Sequence, residues 1–214
     1  MREYFDEQLH NLNMDIIKMG GVVEKAIEKS IHALKERDFA LAQKIMEQDD
    51  VIDEFERDIE KKCLNILMRY QPVARDLRAI GTALKIVTDM ERIGDHATDI
   101  SEITILMSDE EYVKNLDIIP KMAEEAIYML KQAIDAYVKL DVELAQKVID
   151  YDDVVDRLFD NIKHEIVNHL VINRQDADQL INFLLIAKYI ERIGDHATNI
   201  AEWVIFDVTG EHVD

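Results

Sequence analysis

Residues 91–100 read Glu91-Arg-Ile-Gly-Asp-His-Ala-Thr-Asp-Ile100, and residues 191–200 read Glu191-Arg-Ile-Gly-Asp-His-Ala-Thr-Asn-Ile200. Nine of the ten positions are identical at an offset of 100. The apolar side chains around the first copy, Ile86, Met90, Ile93, Ala97 and Ile100, are spaced three or four residues apart, the stripe of an amphipathic helix rather than the alternation of a strand. Matches continue on either side. Asp38-Phe-Ala-Leu-Ala-Gln-Lys-Ile45 pairs with Asp141-Val-Glu-Leu-Ala-Gln-Lys-Val148, and Asp49-Asp-Val-Ile-Asp53 with Asp152-Asp-Val-Val-Asp156, both at an offset of 103. The three-residue difference falls between helices, where a loop absorbs it. The chain is therefore a tandem duplication of one unit of about 100 residues, too long a period for an ordinary solenoid repeat.

Six Gly and two Pro in 214 residues leave long uninterrupted helical stretches, and no segment reads as a strand flanked by turn residues. The punctuation predicts an all-α fold of six long helices. The first ends near Glu36. The second starts at an Asp38 N-cap and ends near Tyr70, before Pro72. Its expected core stripe is Val51, Phe55, Ile59 and Ile66. The third spans about Ala74 to Met107. The fourth begins at Pro120 and ends near Leu140. The fifth runs from Asp141 to about Leu170, and the sixth from beyond the break at Asn173–Asp176 to about Phe206. Three helices per unit give two tandem, pseudo-symmetric three-helix bundles, residues 1–107 and 108–214, joined near 108–117.

The chain carries 45 acidic and 25 basic side chains, a formal net charge of −20. That sign argues against nucleic-acid binding and against adhesion to an anionic membrane. A hydrophobic content of 48% argues against disorder. The lone Cys63 cannot form an intrachain disulfide. The charged start from Met1 has no signal-peptide core, and no apolar run is long enough for a membrane helix. A soluble, cytoplasmic protein is expected.

The acids are not spread evenly. At 100° per residue, Glu91, Asp95, Asp99 and Glu102 fall within an arc of about 80°, opposite the apolar stripe. Asp49, Asp53, Glu56 and Glu60 share one arc of the preceding helix. The second unit repeats the pattern with Asp152, Asp156 and Asp160, and with Glu191, Asp195 and Glu202 beside Asn199. Like charges four residues apart on a helix repel by a few tenths of a kcal/mol, and ordinary solvated helices alternate signs instead. Here the repulsion recurs on four helices, two adjacent ones in each unit. A hard cation between each pair of faces would offset it, because such ions prefer carboxylate oxygens. Arg92 and Arg192, at the edge of the arc, could serve in part. The competing reading is a plain scaffold with solvated acidic faces.

His96 and His196 lie on the flank between acidic and apolar faces. Both a hydrogen bond to a neighbouring helix and metal ligation fit them. Gly94 and Gly194 lie mid-helix, where each costs roughly 1 kcal/mol against Ala, so close approach of a helix or of another molecule is expected there. The three serines stand in no nucleophile motif, and Glu7-Gln-Leu-His10 is the one stretch with the Glu-x-x-His spacing that di-iron oxidases use in pairs.

The duplicated Glu-Arg-Ile-Gly-Asp-His-Ala, the upstream Asp-x-x-Ile/Val-Asp and the intervening Gln71-Pro-Val-Ala-Arg-Asp-Leu-Arg78 resemble the PhoU family over essentially the whole chain. The resemblance implies two three-helix bundles with multinuclear metal clusters on their surfaces, iron foremost, with zinc or another divalent cation as alternatives. Carried over by position, one cluster would use Asp49, Asp53, Glu91 and Asp95, the other Asp152, Asp156, Glu191 and Asp195. The second copy departs from the first: Gln71-Pro72 gives way to Val171-Ile172-Asn173, Asp99 to Asn199, and Glu56 to Phe159. The resemblance further implies a non-enzymatic, cytoplasmic negative regulator of phosphate uptake and phosphate-starvation signalling. Such a regulator would be a homodimer, linking the ATPase subunit of a phosphate transporter to a sensor histidine kinase. The alternative from the enzyme class is a carboxylate-bridged metal hydrolase or oxidase.

Overall fold

The computed structural model describes residues 2–108, 111–112 and 118–213. It is all-α, with no strand among the described residues. The helices are α1 (Arg2–Glu36), α2 (Phe39–Glu47), α3 (Asp49–Tyr70), α4 (Arg75–Leu106), α5 (Ile118–Lys139), α6 (Val142–Ile172) and α7 (Ala177–Thr209), with a 3-10 turn at Arg174–Asp176 before the last. The join expected at 108–117 lies mostly outside the described residues.

The caps explain the punctuation. Asp38 and Asp141, equivalent in the two units, each accept the backbone N–H three residues on, Leu41 at 2.9 Å and Leu144 at 3.0 Å. Each side chain thereby satisfies one of the orphan donors of a new helix. The residue before each cap, Arg37 or Leu140, has positive φ, which lets the chain reverse within one residue. Pro120 sits in the first turn of α5, where its missing N–H costs nothing.

One expectation needs correction. The second helix is not continuous: Gln48 (φ −96, ψ 0) leaves the helical path and divides it into α2 and α3. Its counterpart α6 runs unbroken through the equivalent position, Tyr151. The break puts Asp49 and Asp50 in the first turn of α3, at the positive end of its dipole. The apolar stripe differs too. Ile52 is buried at 4% exposure while its neighbour Val51 is 43% exposed, so the core face of α3 runs through Ile52, Ile59, Cys63 and Ile66.

Helices α1 to α4 pack on one another as the first bundle, and α5, α6 and α7 as the second. The two meet along α4 against α7 and α1 against α5. Near the start of α4, Arg78 donates from Nε to the carbonyl of Asp207, near the end of α7, at 2.8 Å. Further along, Asp89 on α4 meets His196 on α7, and His96 on α4 stacks on Tyr189 of α7. These pairs run in opposite order, so α4 and α7 are antiparallel, related by a pseudo-two-fold passing near His96 and His196, whose rings are 5.7 Å apart. One buried apolar cluster runs through both bundles, including the expected Ile86, Met90, Ile93, Ala97 and Ile100. Each such isoleucine contributes about 1.5–3 kcal/mol of burial, which anchors the two motif-bearing helices against the seam.

Gly94 is there for close packing. A Cβ on it would come within 2.7 Å of Ile52 Cδ1 and 3.0 Å of Ile52 Cγ2, so α3 can approach α4 only over a bare backbone. Gly210 closes α7 at φ 81 and lets the Arg78 guanidinium lie against its Cα, where a Cβ would meet Nη1 at 2.5 Å. Cys63 is buried, and burial pushes its thiol up to about 12, which makes it an inert core residue.

Candidate metal centre

The sequence places the first acid face on α3 and α4, and the fold brings the two helices side by side. One carboxylate oxygen each from Asp49, Asp53 and Asp95 lie within 4.8 Å of one another, and all three side chains are half-buried. Thr98, one turn beyond Asp95 on α4, donates to Asp49 Oδ1 at 3.0 Å and fixes that carboxylate. Arg92 reaches Asp95 at 3.1 Å and Glu91 at 3.4 Å, the partial counter-charge expected of it. Arg57 lies 3.8 Å from Asp53.

These cations do not neutralise the face. Burial and then Asp95, with smaller effects from Glu56 and Asp53, push the Glu91 carboxyl up to about 7 against the pull of Arg92. Burial, then Asp95 and Asp53, raise Asp49 although the Thr98 hydroxyl opposes them. Glu56 is raised by burial and by Glu60 and Asp53. In each case burial is the largest cause and the neighbouring carboxylates add to it, so the acids of this face act on one another. Glu91 thus belongs to the same electrostatic cluster, one turn before Asp95 on α4.

The second face holds Asp152, Asp156, Glu191 and Asp195 on α6 and α7, and their charges act on one another. Burial, then Asp156 and Asp195, push Asp152 up to about 6. Its Oδ1 is buried without a hydrogen-bond partner, a costly state for a carboxylate unless a cation supplies the missing contact. Gly194 leaves room beside it: a Cβ there would stand 3.4 Å from that same Oδ1. No three carboxylates of this set have oxygens as close together as the Asp49–Asp53–Asp95 group; among the described residues that group stands alone. Asp160 leaves the set, pairing with Lys163 at 2.6 Å in solvent.

A cleft of about 750 Å³ lies along α4 and α7, lined by Asp49, Asp95 and Asp99 from the first unit, by Asp195, His196 and Asn199 from the second, and by Arg92 and Arg192; of the eight expected ligands, Asp49, Asp95 and Asp195 line it. Of the two histidines, His196 makes the expected hydrogen bond to a neighbouring helix, while His96 bonds within its own helix and stacks on the neighbouring one. His96 is buried against His196 and Tyr189, with Nδ1 3.2 Å from Asp99. His196 Nδ1 lies 2.8 Å from Asp89 across the seam, and Asn199 donates to the same oxygen at 3.2 Å. Burial lowers His96 from its ordinary value, so the ring is neutral at pH 7. Asp89 and Thr98 were not among the expected site residues. Asp89 stands where the second copy has Tyr189, and nothing in helical spacing says that it faces the partner helix. The Glu7–His10 pair is exposed on α1, away from any interior site.

The donor sets suit a hard cation, being all-oxygen and contributed by two adjacent helices; the first is half-buried throughout, while in the second Asp156 and Asp195 are exposed. Fold and site together define a duplicated helical-bundle protein with one carboxylate face in each unit. A PhoU domain model matches residues 16–104 and again 119–204, and the chain belongs to the PhoU family. It is 38% identical over 214 residues to a Clostridium acetobutylicum protein described as a phosphate-specific transport system accessory protein PhoU homolog, covering 100% of this chain and 98% of that one. A Pseudomonas aeruginosa homolog of the same description is 36% identical, with 99% and 88% covered. The crystal structure of PhoU from P. aeruginosa superposes with a TM-score of 0.92 at 36% identity, over 97% of this chain and all of that one. That of the phosphate transport system regulatory protein PhoU from Streptococcus pneumoniae superposes with a TM-score of 0.91 at 25% identity, over 98% and 99%.

Proposed function

We propose that this chain is a regulatory accessory protein of a phosphate transport system, not an enzyme, and that it restrains phosphate uptake and phosphate-starvation signalling. Family membership over the full length supports the accessory role, and the relatives are named for it. The single observation that carries a metal-dependent version of it is the convergence of Asp49, Asp53 and Asp95 within 4.8 Å. Asp49, Asp53, Glu91 and Asp95 would hold one cluster, and Asp152, Asp156, Glu191 and Asp195 the other. Oxygen-only donors suit a hard cation, and the family resemblance points to iron, with zinc or another divalent cation as alternatives. Bound metal would neutralise both faces and lock α3 to α4 and α6 to α7, fixing the surface offered to partners.

Those partners are the transporter's ATPase subunit and the cytoplasmic part of a sensor histidine kinase, with the protein acting as a homodimer in the cytoplasm. No described helix is long and apolar enough to cross a membrane, which suits an adaptor that meets membrane complexes through their exposed subunits. Deleting the gene should raise phosphate uptake and starvation-gene expression in phosphate-replete cells, and an Asp53→Ala/Asp95→Ala allele should fail to restore repression. Unchanged uptake and expression on deletion would end this reading. Unimpaired repression by the double variant would end its metal-dependent part.

A further inference from the structure

Each carboxylate set has cations of its own, Arg92 and Arg57 at the first and a lysine at the second. In the second set Lys188, one turn before Glu191 on α7, places its ammonium against the Glu191 carboxylate. The same charge also acts on Asp156 and Asp195, opposing the rise that burial imposes on each. The aromatic face of Phe159 on α6 backs the ammonium at 5.5 Å, so the lysine is held between α6 and α7 rather than waving in solvent. At the equivalent position the first set has Thr88, whose hydroxyl donates to its own helix at Leu84.

The exchange is concerted. Where the first unit has Glu56 and Glu60, the second has Phe159 and Lys163 at the offset of 103. Lys163 also lies over the Phe159 ring, at 4.9 Å. With Arg57 and its counterpart Asp160 included, the formal charge goes from −1 in the first unit (Glu56, Arg57, Glu60, Thr88) to +1 in the second (Phe159, Asp160, Lys163, Lys188), a difference of two. The first face is extended by two further acids, and the second is shortened by a ring and closed by an ammonium.

We propose that Lys188 is a built-in counter-cation of the second carboxylate set, so that metal entering this set competes with the ammonium and is held more weakly than the same acids would hold it without the lysine. It is a positioning and specificity-determining residue, since the amine occupies the side of the cluster that Glu56 and Glu60 extend in the other half. The inference rests on the metal-binding reading above. A fixed positive charge repels an incoming divalent ion directly and also withdraws Glu191 from coordination. With the Lys188 side chain 44% exposed and solvent screening its charge, removing it should tighten metal at the second set by roughly two- to fivefold.

The test uses chelator-stripped full-length protein and Mn2+, an oxygen-seeking ion whose free form is counted by electron paramagnetic resonance. Asp53→Ala/Asp95→Ala isolates the second set, and Lys188→Met or Lys188→Arg is added to that background. Lys188→Met should raise Mn2+ affinity or stoichiometry and Lys188→Arg should not. Without metal, Lys188→Met should lower Tm, and saturating Mn2+ should close that gap, which a purely structural lysine would not allow. Measurable Mn2+ binding at the second set that Lys188→Met leaves unchanged would overturn the counter-cation role alone. So would a Tm deficit that persists undiminished in Mn2+. Absence of Mn2+ binding in the wild-type chain would overturn the metal reading and this inference with it.

Discussion

At the first acid face three carboxylates from α3 and α4 crowd within 4.8 Å, held by Thr98 and faced by Arg92. At the second, the four equivalent acids stand on the equivalent helices, α6 and α7, at matching offsets, yet Asp152 keeps an unpartnered oxygen and Glu191 takes a lysine. The backbones differ as well: α3 begins at Asp49 after the break at Gln48, whereas α6 carries Asp152 in mid-helix. A matched motif therefore does not guarantee a matched site. What surrounds the acids, one turn away on the same helix, sets how much positive charge each cluster still lacks.

The largest effect that would sharpen this contrast is on metal content. Elemental analysis of protein purified without chelator should show that Asp53→Ala/Asp95→Ala removes most of the bound metal. Asp156→Ala/Asp195→Ala should remove the smaller part, and equal losses would erase the distinction between the halves.

The paired glycines give the next test. Ala at position 94 gains about 1 kcal/mol of helix propensity but drives a methyl into Ile52, and overpacking of that kind costs about 1–3 kcal/mol. Gly94→Ala should therefore lose stability by chemical denaturation, by up to about 2 kcal/mol. Gly194→Ala meets its nearest atoms at 3.4 Å and should be neutral or slightly stabilising.

The faces should also differ in pH response once metal is stripped. The Glu91 carboxyl stands at about 7 in the fold against an ordinary 4.5, so the folded state holds a proton that the unfolded chain has released. Stability must then fall as pH rises from about 4.5 to 7. Asp152, raised from 3.8 to about 6, gives the same sign over a lower window. Glu91→Gln should flatten the Tm profile near neutrality, and Asp152→Asn should flatten it only below about pH 6. Added metal should reverse the slope, since the cation binds the deprotonated form.

The smallest effect concerns the turns that open the second helix of each unit. Leu140 adopts φ 52 without glycine's freedom, so Leu140→Gly should raise stability by up to about 1 kcal/mol in thermal unfolding. Arg37, at the equivalent position, lies under Phe39 and Tyr112 and gives its guanidinium to the Ser108 carbonyl. Arg37→Gly should gain less or lose.

Much of this was legible in the chain. The stripe of α4 is legible down to Ile100 because five apolar residues at spacings of three and four admit one phase. The stripe of α3 is ambiguous by one residue in sequence, since Val51 and Ile52 both fit the spacing to Phe55 and Ile59, and only packing against Gly94 chooses Ile52. The acids were legible as two faces. Their inequality is only half visible in sequence: Phe159 replaces Glu56 within the acid arc itself, while Lys188 against Thr88 lies outside the matched motifs and gains meaning only from its contact with Glu191. The antiparallel seam was not legible at all, because periodicity reports which face a helix buries and not which distant helix covers it. Asp89 and the link from Arg78 to Asp207 belong to that blind region.

The seam has a consequence for descent. An antiparallel pair of like helices, with like residues near the axis, is the geometry of a two-fold dimer of a single unit, here written into one polypeptide. In a true homodimer every substitution appears twice, and a lysine placed in one cluster would close both. Once two copies share a gene, each can vary alone. The fused chain could keep one face open to cations while the other acquired its own.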